Sequence, residues 1–203
     1  IIIGIVVVIA LISFIHGRVT AKDEVMYILA GNCDSINMSS DVEGTLSDFM
    51  EEQGIDPKTQ CIAINTNVTY AETGAQPYSL PTLTTLIGAG QVDVALSHGD
   101  LFDFMAKNGE FLPIDEIFSK EELEKYQDRL VTGVYEEITY NEDGSEGPIN
   151  KQNYICGVRI PADQPWLSST NMYPDTEVVA SVIINSEHKD LAKAFLIYLL
   201  ENE

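Results

Sequence analysis

Basic residues are scarce in this chain of 203 residues. Only 11 lysines and arginines stand against 32 aspartates and glutamates, which gives a formal net charge of −21 at pH 7. A nucleic-acid-binding surface needs clustered basic side chains to neutralise phosphates, so the composition argues against nucleic acid as a partner. The acids are scattered along the chain, and their simplest role is solubility and self-repulsion.

Cysteine is also rare, and its spacing excludes two classes of small domain. Cys33, Cys61 and Cys156 allow at most one intramolecular disulfide, which excludes a disulfide scaffold. The sequence has no Cys-x-x-Cys and no His-x-x-x-His, and "NEDGSEGPIN" lacks the alternating oxygen ligands of an EF-hand loop. We therefore expect no metal site and no cofactor.

The chain contains one long apolar run, "IIIGIVVVIALISFI", which spans residues 1–15. Its length matches the core of a signal peptide better than a membrane-spanning helix, which needs ~20 residues. Small residues at 19–21 form a possible cleavage site, whereas Arg18 and the lack of a lipobox cysteine leave an uncleaved anchor equally open. We expect residues 1–21 to be a signal peptide or membrane anchor. Residues 22–203 should then form one domain on the extracellular face of the cell membrane, or a secreted domain after cleavage.

Strand and helix patterns alternate over the first 130 residues. Apolar runs predict strands at residues 25–30, 61–66 and 92–96. Helical patterns follow at residues 42–50, 81–88 and 101–107, and capping-box spacings occur at 40–43 and 119–122. Such alternation predicts an α/β fold with a mainly parallel sheet and helices on both faces.

The pattern changes after residue 130. Strand-like runs at 134–140 and 153–160 flank Asp143-Gly144, a turn signal that predicts a hairpin or a long loop. The stretch "WLSSTNMYPDT" is irregular. A last strand at 178–184 and a closing amphipathic helix complete the predicted elements.

Several stretches resemble bacterial extracellular solute-binding proteins, which have a type 2 periplasmic-binding-protein-like fold. "LTTLIGAGQVDVALSHGDLFDFMAKNGEFLPIDE" resembles their helix, Asp-containing strand, second helix and "gxlxPLdd" phrase. "VVASVIINSEHKDLAKAFLIYLLEN" resembles their late strand and helix, and "VMYILAG" resembles their first strand. Members of this family usually close two α/β lobes on a solute.

The second lobe of such proteins would be inserted where this chain has only residues 132–153. About twenty residues cannot form a lobe, because even marginal domains need about 40. The resemblance therefore implies a single lobe like domain I of a type 2 periplasmic binding protein. It also implies an exported location and a membrane tether.

Two polar loops, "GNCDS" and "SHGD", follow the first and third predicted strands. Loops at the carboxyl ends of parallel strands line the crevice where ligands bind, and a helix N-terminus there favours an anionic or carbonyl group. Two aromatic residues of the irregular stretch, if exposed, would stack on a sugar or anchor a partner. The candidate ligand-binding residues are Asn32, Asp34, Ser97, His98, Gly99, Asp100, Trp166 and Tyr173.

Each of these residues also has a structural interpretation that involves no ligand. Ser97 or Asp100 could simply cap the following helix. The two aromatics could cover the sheet face left open by the missing lobe. Cys33 and His98 could form a nucleophile and base, but no G-x-S-x-G elbow accompanies them, and a half-buried small cysteine is the simpler interpretation.

We therefore expect a membrane-tethered extracellular domain that binds and does not catalyse. Its partner would be a small solute such as a sugar, peptide or anion, or a membrane-transport or surface protein. The alternative is a protein-interaction or structural module in which the crevice is vestigial.

Cys33 and Cys61 should not be bonded to each other. Cys33 follows the first predicted strand, whereas Cys61 begins the second. If these strands are parallel neighbours, six residues at ~3.3 Å each separate the thiols by roughly 20 Å, and a disulfide needs Cα atoms within about 7 Å. Non-reducing peptide mapping should find no such bridge; its detection would mean that the strand assignment is wrong.

Overall fold

The computed structural model describes residues 22–34, 37–70, 79–141 and 143–202. The apolar segment that we interpret as a signal peptide or anchor lies outside these ranges. Within them, no helix has the length and apolar character needed to cross a membrane.

The described residues form a six-stranded sheet in the order β2-β1-β3-β6-β5-β4. The strands are β1 (Asp23–Ala30), β2 (Gln60–Asn65), β3 (Val94–Ser97), β4 (Leu130–Tyr140), β5 (Glu146–Ile160) and β6 (Val178–Val182). β1 pairs in parallel with β2 and β3, whereas β3–β6, β6–β5 and β5–β4 are antiparallel. The α/β class is confirmed, but the sheet is mixed, and the prediction of a mainly parallel sheet is wrong.

The later strands cause this difference. A tight turn joins β4 to β5, and a tight turn can only join antiparallel strands. β6 then enters from the end of the sheet at which β5 leaves, since Ile160 pairs with Val178. The alternation of strands and helices in the first 130 residues could not predict the direction in which β6 enters the sheet.

Helices cover both faces of the sheet, as predicted. They are α1 (Ser47–Glu52), α2 (Ser79–Gly88), α3 (Gly99–Lys107), α4 (Lys120–Lys125), α5 (Pro165–Thr170) and α6 (Lys189–Glu201), with 3-10 turns at Glu43–Leu46, Ile114–Glu116 and Gln127–Arg129. Strand side chains alternate between the faces. Met26 and Ile28 join the core beneath α1, α5 and α6, whereas Leu29 joins the core beneath α2 and α3.

The two predicted capping boxes differ in outcome. At the start of α4, the Glu122 amide donates to Ser119 Oγ at 3.2 Å, and the Ser119 amide donates to Glu122 Oε2 at 2.6 Å. The box expected at 40–43 does not form, because the Asp41 side chain accepts from the Gly44 amide at 3.0 Å instead. A neighbouring acid thus replaced the predicted serine cap.

β4 and β5 extend far beyond the rest of the sheet. They pair along nearly their whole length, but β5 meets β6 only at Val158–Ile160. We call the projecting part, residues 132–155, the ribbon. The predicted turn is confirmed, with Gly144 at a φ of 80°. A left-handed backbone there suits glycine.

Asp93, a buried residue immediately before β3, ties three elements together. Its carboxylate accepts from the Tyr27 amide in β1 at 2.8 Å and from Ser186 Oγ at 2.6 Å. His188 Nδ1 at the start of α6 lies 3.2 Å from both carboxylate oxygens. Because Ser186 donates to Asp93 and not to the imidazole, this Ser–His–Asp cluster lacks the order of a nucleophilic triad. Its role is structural.

We expect Asp93→Ala to lower the free energy of unfolding by about 3 kcal/mol, because the Tyr27 amide and the Ser186 hydroxyl would lose their buried acceptor. Urea denaturation followed by tryptophan fluorescence measures this change. Asp103→Ala on the exposed surface of α3 is the matched control and should change stability by less than about 0.5 kcal/mol. Equal losses in the two variants would contradict the assigned role.

Candidate functional site

The two polar loops meet at one edge of the sheet, as their positions after β1 and β3 predict. His98 Nε2 lies 3.4 Å from the Asn32 carbonyl oxygen. The His98 ring also meets the Tyr173 ring edge-on, with 5.8 Å between ring centroids. The structure therefore brings three candidate residues together at the carboxyl ends of β1 and β3.

Tyr173 fills the crevice between these strand ends. Its side chain is 3% exposed, and its hydroxyl lies 2.8 Å from the Gly31 carbonyl oxygen and 3.0 Å from that of Leu96. Burial raises the pKa of this phenol well above its ordinary value, so the hydroxyl keeps its proton and donates it. The chain's own ring thus occupies the space that a ligand would need.

The backbone around Tyr173 is bonded to the β1 loop. The Asp34 amide donates to the Met172 carbonyl at 2.8 Å, and the Ser39 amide donates to the Thr170 carbonyl at 2.8 Å. These bonds hold residues 170–173 against the crevice. Opening it would break these bonds and remove the Tyr173 hydroxyl from the Gly31 carbonyl, whereas the Leu96 carbonyl would keep the Gly31 amide as a donor at 2.9 Å.

Asn32 uses its side chain to hold the neighbouring loop. Its Nδ2 donates to the Tyr70 carbonyl at 2.8 Å, and the Tyr70 amide donates to its Oδ1 at 2.6 Å. Its backbone is left-handed, with a φ of 56°, which asparagine tolerates better than most residues. The amide group that we expected to face a ligand therefore fixes the segment after β2.

Neither Ser97 nor Asp100, the two residues of the "SHGD" loop that the alternative interpretation made a helix cap, occupies the N-cap of α3. The residue at the N-cap of α3 is His98, and it makes no side-chain capping bond. Ser97 is buried, and its Oγ has no hydrogen-bond partner among the described residues. Gly99 has a φ of 53° and is exposed, as is Asp100 in the first helical turn, where a negative charge is favourable.

Trp166 is a core residue in a helix, so the stretch is not irregular there, and of the two alternatives for this aromatic the structure favours coverage of the sheet face over exposure. It lies in α5, whose start is capped by Gln164 Oε1 accepting from the Leu167 amide at 3.0 Å. The indole Nε1 donates to Thr45 Oγ1 at 2.8 Å, and the ring packs edge-on against Phe195. Like Tyr173, it covers the sheet face and does not present a surface.

The thiols are not arranged for nucleophilic chemistry. All three cysteines lie in the described ranges and are free, which confirms the prediction for Cys33 and Cys61. Cys33 Sγ donates to the Thr66 carbonyl at 3.3 Å, and burial raises its pKa. Burial raises the pKa of Cys156 to about 12. A protonated thiol is a poor nucleophile.

A groove of about 280 Å³ at the base of the ribbon was not anticipated from the sequence. Its walls include Phe111, Pro113, Tyr135, Gln152, Tyr154 and Ile184. Tyr135 and Gln152 are direct cross-strand partners and so share a face of the ribbon. The groove lies at the end of the sheet opposite the crevice, because Ile184 follows the end of the antiparallel strand β6. Gln152 and Tyr154, two positions apart in β5, were the available signal, but the opposing wall comes from residues 108–113.

Glu110 lies between two residues that line this groove. Its Oε2 is buried without a hydrogen-bond partner among the described residues, and burial raises its pKa to about 7. Nearby, the Tyr154 hydroxyl donates to the Ala106 carbonyl at 3.1 Å, and burial raises its pKa as well. The Glu110 carboxyl and the Tyr154 phenol are therefore poorly solvated, which disfavours their charged forms.

Exposed apolar side chains are concentrated on the ribbon. Val134, Ile138, Tyr140 and Ile149 are 40%, 44%, 67% and 49% exposed. Ile138 and Ile149 are cross-strand partners, so they lie on one face, which we call the apolar face. Among the described residues, the only other exposed large apolar side chain is Ile184 in the groove. A clustered apolar surface of this kind is typical of binding sites.

We expect Glu110→Gln to stabilise the protein at pH 8 by about 1–2 kcal/mol, a value reduced for partial solvent screening. In the unfolded chain this carboxyl ionises near its ordinary value of 4.5, whereas the folded protein retains the proton up to about 7. Wild-type stability should therefore fall as the pH rises through this window. The glutamine variant should lack this part of the fall.

Urea denaturation at pH 4 and at pH 8 measures the effect. The exposed residue Glu116 provides the matched control, and Glu116→Gln should keep the wild-type pH dependence. Identical pH profiles for Glu110→Gln and wild type would show that Glu110 is not the group responsible.

Comparison with known proteins does not identify a family. No protein-family model, no curated protein and no solved structure matches this chain. In the described part of the chain, no group of three or more His, Cys, Asp or Glu side chains is placed to hold a metal ion. A functional inference therefore rests on the closed crevice, the groove and the ribbon.

Proposed function

We propose that this chain is an extracellular, membrane-tethered domain that binds a protein partner through its ribbon and does not catalyse a reaction. One observation carries the proposal: Tyr173 fills the crevice in which a solute-binding lobe would hold its ligand. A solute could enter only by displacing a buried ring and the two hydrogen bonds that hold the adjoining backbone. The accessible apolar surface lies instead on the ribbon.

The resemblance to solute-binding proteins supports the proposed architecture. The segment that resembles their late strand and helix forms β6 and α6. β6 lies in the middle of the sheet, and α6 packs on the core through Phe195, Leu196 and Leu199. Where the second lobe would be inserted, the chain has only the ribbon. An isolated lobe has no opposite wall with which to enclose a solute.

The proposed location rests on the sequence of the first 21 residues. An apolar run of fifteen residues followed by an acidic remainder is typical of an exported protein. A partner in that compartment would be a membrane-transport or surface protein. The described residues add no observation on location beyond the lack of a membrane-spanning helix within them.

A second candidate function is the binding of a small solute in the groove. Tyrosine and phenylalanine rings beside the Gln152 amide are the usual components of a small-molecule site. The volume of about 280 Å³ lies just below the range of such sites, ~300–1,000 Å³. Unlike the crevice, the groove is not filled by a side chain from the part of the chain that the structure describes.

Thermal-shift measurements with sugars, amino acids, short peptides and anions distinguish these functions. A ligand at a hundredfold excess over its Kd adds about 2.7 kcal/mol of stability, which is readily measured. We expect no shift, because the crevice is closed. A shift that Tyr135→Ala abolishes would support the groove as a solute site. A shift that His98→Ala abolishes would show that the crevice opens, and the proposal would be wrong.

A further inference from the structure

We infer that the partner contributes an extended, cationic segment that adds as a further strand along β4. This inference rests on the proposed function and specifies the chemistry of its partner. It follows from three properties of the ribbon: an open strand edge, an apolar face, and exposed carboxylates.

β4 is the edge strand with the greater capacity for pairing. It has eleven residues, and β5 is its only strand neighbour among the described residues. The other edge strand, β2, has six residues, none of which is exposed. Edge strands are usually protected by lysine or proline. The sequence of β4, "LVTGVYEEITY", contains neither.

Side chains along β4 determine what an added strand would meet. Val134 and Ile138 lie on the apolar face on either side of Glu136, Tyr140 follows after a shift of register, and Ile149 extends that face onto β5. Neighbouring strands lie ~4.8 Å apart and place alternate side chains on the same face. An added strand with apolar residues at every second position would therefore cover Val134 and Ile138 and pass the Glu136–Lys151 ion pair between them.

The charge of the ribbon favours a basic partner over a second copy of this chain. Glu137 and Glu146 are exposed, and neither has an ion-pair partner among the described residues. Glu136 is different, because it lies 2.9 Å from Lys107 Nζ and 2.6 Å from Lys151 Nζ. A second copy would bring a further net charge of −21, whereas a cationic segment would be attracted.

The probe is an acetylated, amidated peptide of alternating lysine and valine or isoleucine, KVKIKVKIK. The full chain, held in nanodiscs of neutral lipid, is titrated into the labelled peptide, and fluorescence anisotropy reports binding; empty nanodiscs give the background. We expect binding that weakens at least about tenfold when serine replaces the apolar residues or glutamate replaces lysine. Absence of binding, or equal affinity for all three peptides, would overturn the inference.

Two variants locate the binding surface. Ile138→Ser combined with Ile149→Ser should weaken binding at least about tenfold, while the matched change Ile184→Ser, off the apolar face, should leave it within about twofold. Circular dichroism checks that the variants are folded. Unchanged binding by the double variant would place the peptide elsewhere and overturn both this inference and the proposed function.

Backbone methylation tests strand addition itself. Two further peptides carry N-methyl groups on the odd or on the even residues. An added strand directs alternate N–H groups to its neighbour, so one methylated peptide should lose binding and the other should keep it. If both bind like the parent while the double variant does not, strand addition is wrong and the proposed binding surface stands. Sedimentation showing a dimer that the double variant lacks would identify a second copy as the occupant and overturn the cationic partner.

Discussion

The position of β6 determines how the rest of the structure is arranged. β6 pairs antiparallel with β3 on one side and with β5 on the other, so it joins the parallel strands to the ribbon. It begins at Val178, near the end of the chain. The pairing of β6 with β3 spans more than 80 positions of sequence, so the halves of the sheet are joined by contacts of long sequence separation on that side. Such contacts fold slowly, because loop closure precedes the stabilising pairing.

Both the closed crevice and the ribbon follow from the position of β6 between β3 and β5. β5 leaves the sheet, and β6 enters it, at the end where β1 and β3 also finish. The connection between them must cross that end, and it carries α5 and Tyr173 over the crevice. At the opposite end, β5 has no pairing with β6 before Val158. Its earlier residues can pair only with β4, which makes them a projecting hairpin.

Local features of the fold could be predicted, because their signals lie within a few residues. The strands at 25–30 and 61–66, the capping box at Ser119 and the turn at Gly144 are examples. The mixed sheet could not, because the polarity of β6 is set by pairing with residues more than 80 positions earlier. α5 was missed for a local reason. Its helix signal was a capping glutamine, Gln164, followed by a proline at the first helical position, and these residues were interpreted as part of an irregular stretch.

The candidate site likewise has one part that could be predicted from the sequence and another that could not. Parallel pairing of β1 with β3 was enough to predict that the "GNCDS" and "SHGD" loops meet. The residue that fills the space between them, Tyr173, comes from 75 or more positions further along the chain. Periodicity cannot show whether such an aromatic residue faces solvent or a carbonyl oxygen. The groove was missed for the same reason, since its two walls are distant in sequence.

Charge disfavours pairing of this open, partly apolar edge with a second copy of the chain. Two copies of β4 pairing antiparallel about Glu137 would place the two Glu137 carboxylates at the strand spacing of ~4.8 Å, well inside the Debye length of about 8 Å at physiological salt. Repulsion between them would be largely unscreened, and the net charge of −21 on each copy would add to it. Lysine or proline in β4 would block every partner. Glutamate repels acidic partners, this chain included, and leaves the edge accessible to basic ones.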